Sequence, residues 1–120
     1  MKPTILVVDD EPLIRWSLSE TLSGSGHHIV EAGDGQAAVQ AVTNSARPFD
    51  VVLLDFRLPD SNDLSLLSRL RRLAPGSRII MMTAFGTPET TQGALDLGAD
   101  RVVQKPFEFA DLTSLVQRSA

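Results

Sequence analysis

Three nearly unbroken apolar runs constrain this chain most: Ile5-Leu6-Val7-Val8, Val51-Val52-Leu53-Leu54 and Ile79-Ile80-Met81-Met82. A strand wetted on one face alternates apolar with polar residues. These runs do not alternate, so each is expected to be a short strand covered on both faces. Each run also stops at a polar residue: Asp9-Asp10-Glu11 after the first, Asp55 after the second, Thr83 after the third. Taken alone, Asp55 has an ordinary explanation as a loop-start residue making a local turn. Its significance depends on what converges with it.

Between the runs the chain alternates in type. Pro12 suits the first turn of a helix, where its missing N–H costs nothing. Ile14, Leu18 and Leu22 then recur at the helical period until Gly24-Ser25-Gly26 stops them. Trp16 falls off this face, among Arg15, Ser19 and Glu20. It is expected to lie flat at the edge of the core, with a partner-docking anchor as the alternative. His27 to Ala32 reads as a short strand. Adjacent histidines on a strand point to opposite faces, so His27 and His28 are read as one boundary and one surface residue and not as metal ligands. Gly33-Asp34-Gly35 turns the chain into a helix over Gln36 to Asn44 with Ala38, Ala41 and Val42 inward. After the loop at Pro59, Ser61 or Asn62 can cap a third helix. Its stripe is Leu66, Leu67, Leu70 and Leu73, with Arg69, Arg71 and Arg72 on a solvated side. Pro88 to Leu97 predicts a fourth helix. Two adjacent threonines and the interior Gly93 make it a poor one, expected to be the most mobile. Arg101 to Gln104 predicts a strand, Lys105-Pro106-Phe107 follows, and Asp111 to Arg118 predicts a last helix with Leu112, Leu115 and Val116 inward. That helix has no obvious cap, so the chain is expected to be the N-terminal part of a longer protein, although a single-domain protein could also end this way.

Five strand–helix alternations over residues 1–120, with no internal linker, predict one α/β domain: a doubly wound, five-stranded parallel sheet with five helices on its two faces. A chain of 120 residues needs no disulfide or structural metal to fold. Cysteine is absent, which excludes thiol catalysis and thiolate metal sites. The N-terminus is no secretory leader, no run approaches a membrane span, and a net charge of -4 disfavours direct nucleic-acid binding. A cytoplasmic domain is expected.

The polar residues at the strand ends then form a set. In an open parallel sheet, ligands bind at the carboxyl ends of the strands where the strand order reverses. If the second strand is at the edge, the first and third flank that reversal and Asp9, Asp10 and Asp55 crowd together. Three close carboxylates repel unless a cation compensates them. An all-oxygen pocket suits Mg²⁺, which also favours phosphate oxygens. Lys105 adds a point charge and Thr83 a hydroxyl, beside the small Ala84. A carboxylate nucleophile, a metal, a lysine and a hydroxyl are the parts of acyl-phosphate chemistry.

Over nearly its whole length the sequence resembles the receiver domains of two-component response regulators. The matching pieces are Ile5-Leu6-Val7-Val8-Asp9-Asp10-Glu11, Val52-Leu53-Leu54-Asp55 with Leu58-Pro59, Met82-Thr83-Ala84, and Lys105-Pro106-Phe107. The resemblance implies a flavodoxin-like fold with strand order 2-1-3-4-5. It implies Asp55 as phosphoacceptor from a sensor histidine kinase, and Asp10, Asp55 and the backbone carbonyl of Arg57 as Mg²⁺ ligands, with Asp9 acting through water. It further implies Thr83 as the switch hydroxyl, Lys105 as its charge partner, a cis Lys105–Pro106 bond, and a phosphorylation-promoted homodimer or a contact with a downstream effector domain. Ile14-Arg15-Trp16, Asp55-Phe56-Arg57-Leu58-Pro59 and Thr83-Ala84-Phe85-Gly86 resemble more narrowly the receivers of nitrogen-regulation-type transcriptional activators, which implies transcriptional output. Arg57 and Phe85 stand where the family varies and tunes phosphate lifetime.

Two positions depart from the pattern. Val102 replaces the aromatic residue often found three positions before the lysine, and Asp63 replaces a usual glycine at the start of the third helix. Other readings fit less well. A phosphorylation-independent interaction module would not need the acidic set. A haloacid-dehalogenase-type phosphatase wants a second aspartate where Arg57 stands. A flavodoxin wants a phosphate loop where Asp9-Asp10-Glu11 stands, and no Walker-type glycine loop exists.

Overall fold

The computed structural model describes residues 3–24, 26–60, 64–84, 86–105, 113, 114 and 116. The three apolar runs form β1 (Thr4–Val8), β3 (Val51–Asp55) and β4 (Arg78–Thr83); His28–Ala32 is β2 and Arg101–Gln104 is β5. All five are parallel in one sheet of order β2-β1-β3-β4-β5, as expected. Alternate residues of the central strands feed two separate cores. Leu6, Val8, Val52, Leu54, Ile79 and Met81 face one side, where they meet Ala38, Leu66, Leu67, Leu70 and Ala94. Ile5, Val7, Val51, Leu53, Ile80 and Met82 face the other and meet Leu18, Leu22 and Val116. Double coverage is why these strands carry no alternation.

Four helices lie among the described residues, where five were expected: α1 (Pro12–Gly24), α2 (Gly35–Asn44), α3 (Ser65–Leu73) and α4 (Pro88–Asp96). The fifth, expected over 111–118, falls mostly outside the described residues; of its expected inward residues Val116 is described, and it is buried. Pro106, Phe85, Asp63 and the proposed cap residues Ser61 and Asn62 also fall outside them. Helix α2 begins where Asp34 accepts a hydrogen bond from Ala37 N–H at 2.7 Å. Helix α4 begins where Thr87 accepts one from Thr90 N–H at 3.1 Å, with Pro88 in its first turn. Among the described residues no helix is long and apolar enough to cross a membrane.

Four expectations about side chains need correction. Trp16 is 56% exposed, more open than a side chain at the edge of the core was expected to be, while its neighbour Ser19 is buried. Leu73 is 44% exposed and leaves the α3 stripe to Leu66, Leu67 and Leu70. Arg71 is not part of a solvated face. Its guanidinium donates to the carbonyls of Gly98, Ala74, Pro75 and Ser77 and pairs with Asp100 at 3.2 Å. A planar group with five donors can collect this many acceptors, which a lysine could not. It ties the end of α3 to the turn between α4 and β5. Helix α4 itself buries only Ala94, in keeping with its weak sequence. Of the histidines, His28 is exposed as expected, but His27 lies just before β2 and is buried rather than at the boundary, with Nδ1 3.1 Å from the Leu22 carbonyl at the end of α1.

Gly98 closes this turn at φ +112°, and a Cβ there would lie 2.4 Å from Arg71 Cδ. Gly98→Ala should therefore lower the unfolding free energy by about 1–3 kcal/mol. Gly76→Ala, where a Cβ meets nothing within 4 Å, should stay within about 0.5 kcal/mol of the parent. Urea titrations of the two variants read the difference.

Candidate acidic centre at the strand ends

The ladder registers bring the polar residues to one level. Val8 lies beside Leu54, Asp55 beside Met82, and Thr83 beside Gln104. The residues following β1, β3, β4 and β5 therefore leave the sheet together, at the reversal of strand order between β1 and β3. Carboxylate oxygens of Asp9, Asp10 and Asp55 all lie within 4.8 Å of one another. Asp9 is fully buried, Asp55 nearly so, and Asp10 exposed. Lys105 Nζ reaches across from the end of β5, 3.0 Å from Asp9 Oδ2 and 3.4 Å from Asp55 Oδ2. Asp10, Glu11, Asp55, Phe56, Arg57, Thr83, Ala84 and Lys105 line a cavity of about 410 Å³. Every site residue expected from the sequence is thus in one place: Asp10, Asp55, Arg57, Thr83 and Lys105 at the cavity, and Asp9 beneath it.

Local folding fixes each side chain. Asp9 N–H donates to the Ala32 carbonyl at 3.1 Å, which carries the β1–β2 ladder one residue past Val8. Asp9 Oδ1 accepts from Glu11 N–H at 3.0 Å, forming a turn into α1. Phe56 N–H donates to the Met82 carbonyl and Lys105 N–H to the Thr83 carbonyl, extending the ladders on both sides of β4. Arg57 N–H approaches Asp55 Oδ1 at 3.4 Å, a long and weak bond. Thr83 is buried at the end of β4.

Burial pushes the Asp55 carboxyl up to about 6; Lys105 opposes that shift and the Asp9 charge adds to it. For Lys105, burial pulls the ammonium down, but the Asp9 hydrogen bond and the attraction of Asp55 outweigh it and hold it above its ordinary value. The Lys105 ammonium faces a cluster of three carboxylates. The donors of this cluster are all oxygen and one side is open. That set fits a divalent cation such as Mg²⁺.

Sequence reasoning missed Asp60. From the loop after Asp55 its carboxylate accepts from Gly35 N–H at 2.8 Å and Gln36 N–H at 3.0 Å, capping α2 from outside. Those two bonds hold its carboxyl below the usual range. The donors sit in a distant stretch of chain, so no local spacing signals the contact.

The family model for the response regulator receiver domain matches residues 5–117. The chain belongs to that family. Among curated relatives, the receiver is 40% identical to the probable transcriptional regulatory protein TcrX of Mycobacterium tuberculosis over 91% of its own length and 46% of the relative's. It is 34% identical to the DNA-binding transcriptional regulator NtrC of Azospirillum brasilense, over 97% of this chain and 24% of that one. It is also 34% identical to sporulation initiation phosphotransferase F of Bacillus subtilis, over 98% and 94%. A CheY-like receiver from Methanospirillum hungatei superposes with a TM-score of 0.92 at 29% identity, over 98% of this chain and 92% of that one. The receiver thus spans less than half of TcrX and of NtrC. The nitrogen-regulation type is one relative among several and not a class assignment. Receivers are the regulatory modules of two-component systems and carry phosphate on an aspartate. The intact acidic centre fits that role and speaks against the phosphorylation-independent reading.

The raised Asp55 pKa fixes a sign. A carboxyl that holds its proton more tightly when folded gives stability that is full below its unfolded value and lost as pH rises through about 6. Without divalent cations, Asp55→Asn should stabilise the receiver at pH 8 by roughly 1–3 kcal/mol. The gain should fade as pH drops toward 4. Denaturant titrations across pH in a chelator test both parts.

Proposed function

We propose that Asp55 is the phosphoacceptor, taking a phosphoryl group from the histidine of a sensor kinase or from a small acyl phosphate. The single observation carrying this is the position of Asp55: a buried carboxylate within reach of two other acids and 3.4 Å from Lys105 Nζ. An Asp55 oxygen attacks phosphorus, the bond from phosphorus to the donor atom breaks, and the donor leaves with the electron pair. Mg²⁺, when bound, would neutralise oxygens of the transferring group. Asp10, Asp55 and the Arg57 carbonyl would hold it, and Asp9 would act through water. Lys105 contributes its ammonium charge, and Thr83 its hydroxyl, which supports the reading of Thr83 as the switch. Slow hydrolysis of the aspartyl phosphate would use the same groups, without making the receiver an enzyme on outside substrates.

Phosphorylation would shift a two-state equilibrium over α4, β5 and the segment after it. That surface would serve a homodimer or an effector region beyond residue 120, inside the cell. The names of TcrX and NtrC support a transcriptional output, exerted by another domain and not by direct nucleic-acid binding here.

Incubation with acetyl phosphate and Mg²⁺ should add one phosphoryl group by intact-mass spectrometry. Chelation or Asp55→Asn should abolish the addition, while Thr83→Ala should leave it at a rate within about tenfold, the scale of one neutral hydrogen bond. Phosphate that persists on Asp55→Asn would overturn the assignment.

A further inference from the structure

Asp9 is held at every polar atom. Its N–H donates to the Ala32 carbonyl, and its two carboxylate oxygens accept from Glu11 N–H and Lys105 Nζ. Its carbonyl accepts from Arg15 Nη1 at 2.7 Å, the shortest of the four. The same guanidinium donates through Nε to Glu31 Oε1 on β2 at 3.1 Å. Arg15 N–H is itself bonded to the Glu11 carbonyl at 2.9 Å, so α1, the β1–α1 turn and β2 are joined around one planar fork. Helical side chains lean toward the N-terminal turn, and this is how a residue in α1 reaches back to the end of β1. The brace occupies space that a side chain at Gly33 would need: a Cβ there would lie 3.1 Å from Arg15 Nη1. Gly33 has no positive φ, so room for the guanidinium, and not backbone conformation, is what an alanine there would disturb.

The Asp9 carbonyl and the Asp10 nitrogen belong to one rigid peptide plane. Fixing that carbonyl fixes the direction in which Asp10 leaves β1, and with it the distance from Asp10 to Asp55. We propose that Arg15 is a positioning residue for the acidic centre, bracing the Asp9–Asp10 peptide against β2 so that the three carboxylates keep a spacing fit for a divalent cation. This rests on the reading of that centre as a Mg²⁺ site. Glu31 anchors the far side of the fork, and Gly33 leaves it space.

Position and charge predict opposite signs. Arg15 is a cation near the acids, so if only its charge mattered, its loss would remove a competitor and tighten Mg²⁺ binding. A brace predicts weaker binding. The test is urea unfolding of the full chain over a series of MgCl₂ concentrations. The Mg²⁺-dependent gain in stability reports affinity separately from any loss of stability in the metal-free protein. Arg15→Met is expected to bind Mg²⁺ at least about fivefold more weakly, and Arg15→Lys to recover part of the loss because one donor replaces the fork. Gly33→Ala removes neither charge nor donor but displaces the guanidinium by tenths of an ångström, and should weaken binding about two- to threefold. Variants that lose metal-free stability but keep the parent's Mg²⁺ dependence, or bind more tightly, overturn the brace. Asp10→Asn in the same series separates the two levels. If the parent shows no Mg²⁺ dependence, or Asp10→Asn leaves it intact, the metal-site reading fails and the brace fails with it.

Discussion

The reach of Lys105 to Asp9 and Asp55 is the interaction on which the metal-free centre depends. Two buried carboxylates and a third beside them are unfavourable company in a low-dielectric setting. The Lys105 ammonium from the end of β5 compensates part of that charge, at 3.0 and 3.4 Å. Such a buried arrangement contributes little net stability, but loss of the Lys105 ammonium would be severe, because the buried Asp9 and Asp55 would be left without it. Lys105 is therefore enough to let the acids coexist and not enough to satisfy them. An all-oxygen cluster of this charge fits a divalent cation.

The sheet makes the cluster possible. A parallel ladder sends every strand out of the core at the same edge, so charges from four separate stretches of chain gather without any being close in sequence. Covering both faces with apolar side chains leaves that edge as the place for polar groups. The sequence pays for the arrangement in three runs with almost no polar interruption, and those runs end where chemistry is needed.

That coupling explains what was legible. Strand identity, order of elements and the gathering of Asp9, Asp10, Asp55, Thr83 and Lys105 at one sheet edge could be read because apolar periodicity and its interruption are local signals. The strand order needed the family resemblance. Arg71, Asp60 and Arg15 could not be read in this way. Each is a polar residue beside apolar ones on a helix or loop, and each looks solvated in sequence. Their acceptors or donors lie in distant turns: Gly98 for Arg71, Gly35 for Asp60, and Asp9 with Glu31 for Arg15. Trp16 and Leu73 failed differently. A helical stripe fixes the centre of a buried face, but its margin depends on where the neighbouring element ends, and both residues fall beyond it.

If Thr83 acts as the proposed switch, Val102 is the residue that stands where an aromatic side chain would otherwise relay the change. Val102 is partly buried against the core on the α2–α3–α4 side of the sheet, and a β-branched side chain there has few rotamers to offer. The packing supplies another path. A Cβ at Gly86 would lie 2.8 Å from Thr83 Cγ2, and the Gly86 carbonyl accepts from Gln104 Nε2 at 3.3 Å. The chain after β4 is thus threaded between Thr83 and the end of β5, and one residue further on Thr87 caps α4. At the far end of α4 the Arg71 guanidinium holds the Gly98 carbonyl. Gly86 is the place where the end of β4, the end of β5 and the start of α4 meet, and no aromatic side chain is needed for that contact.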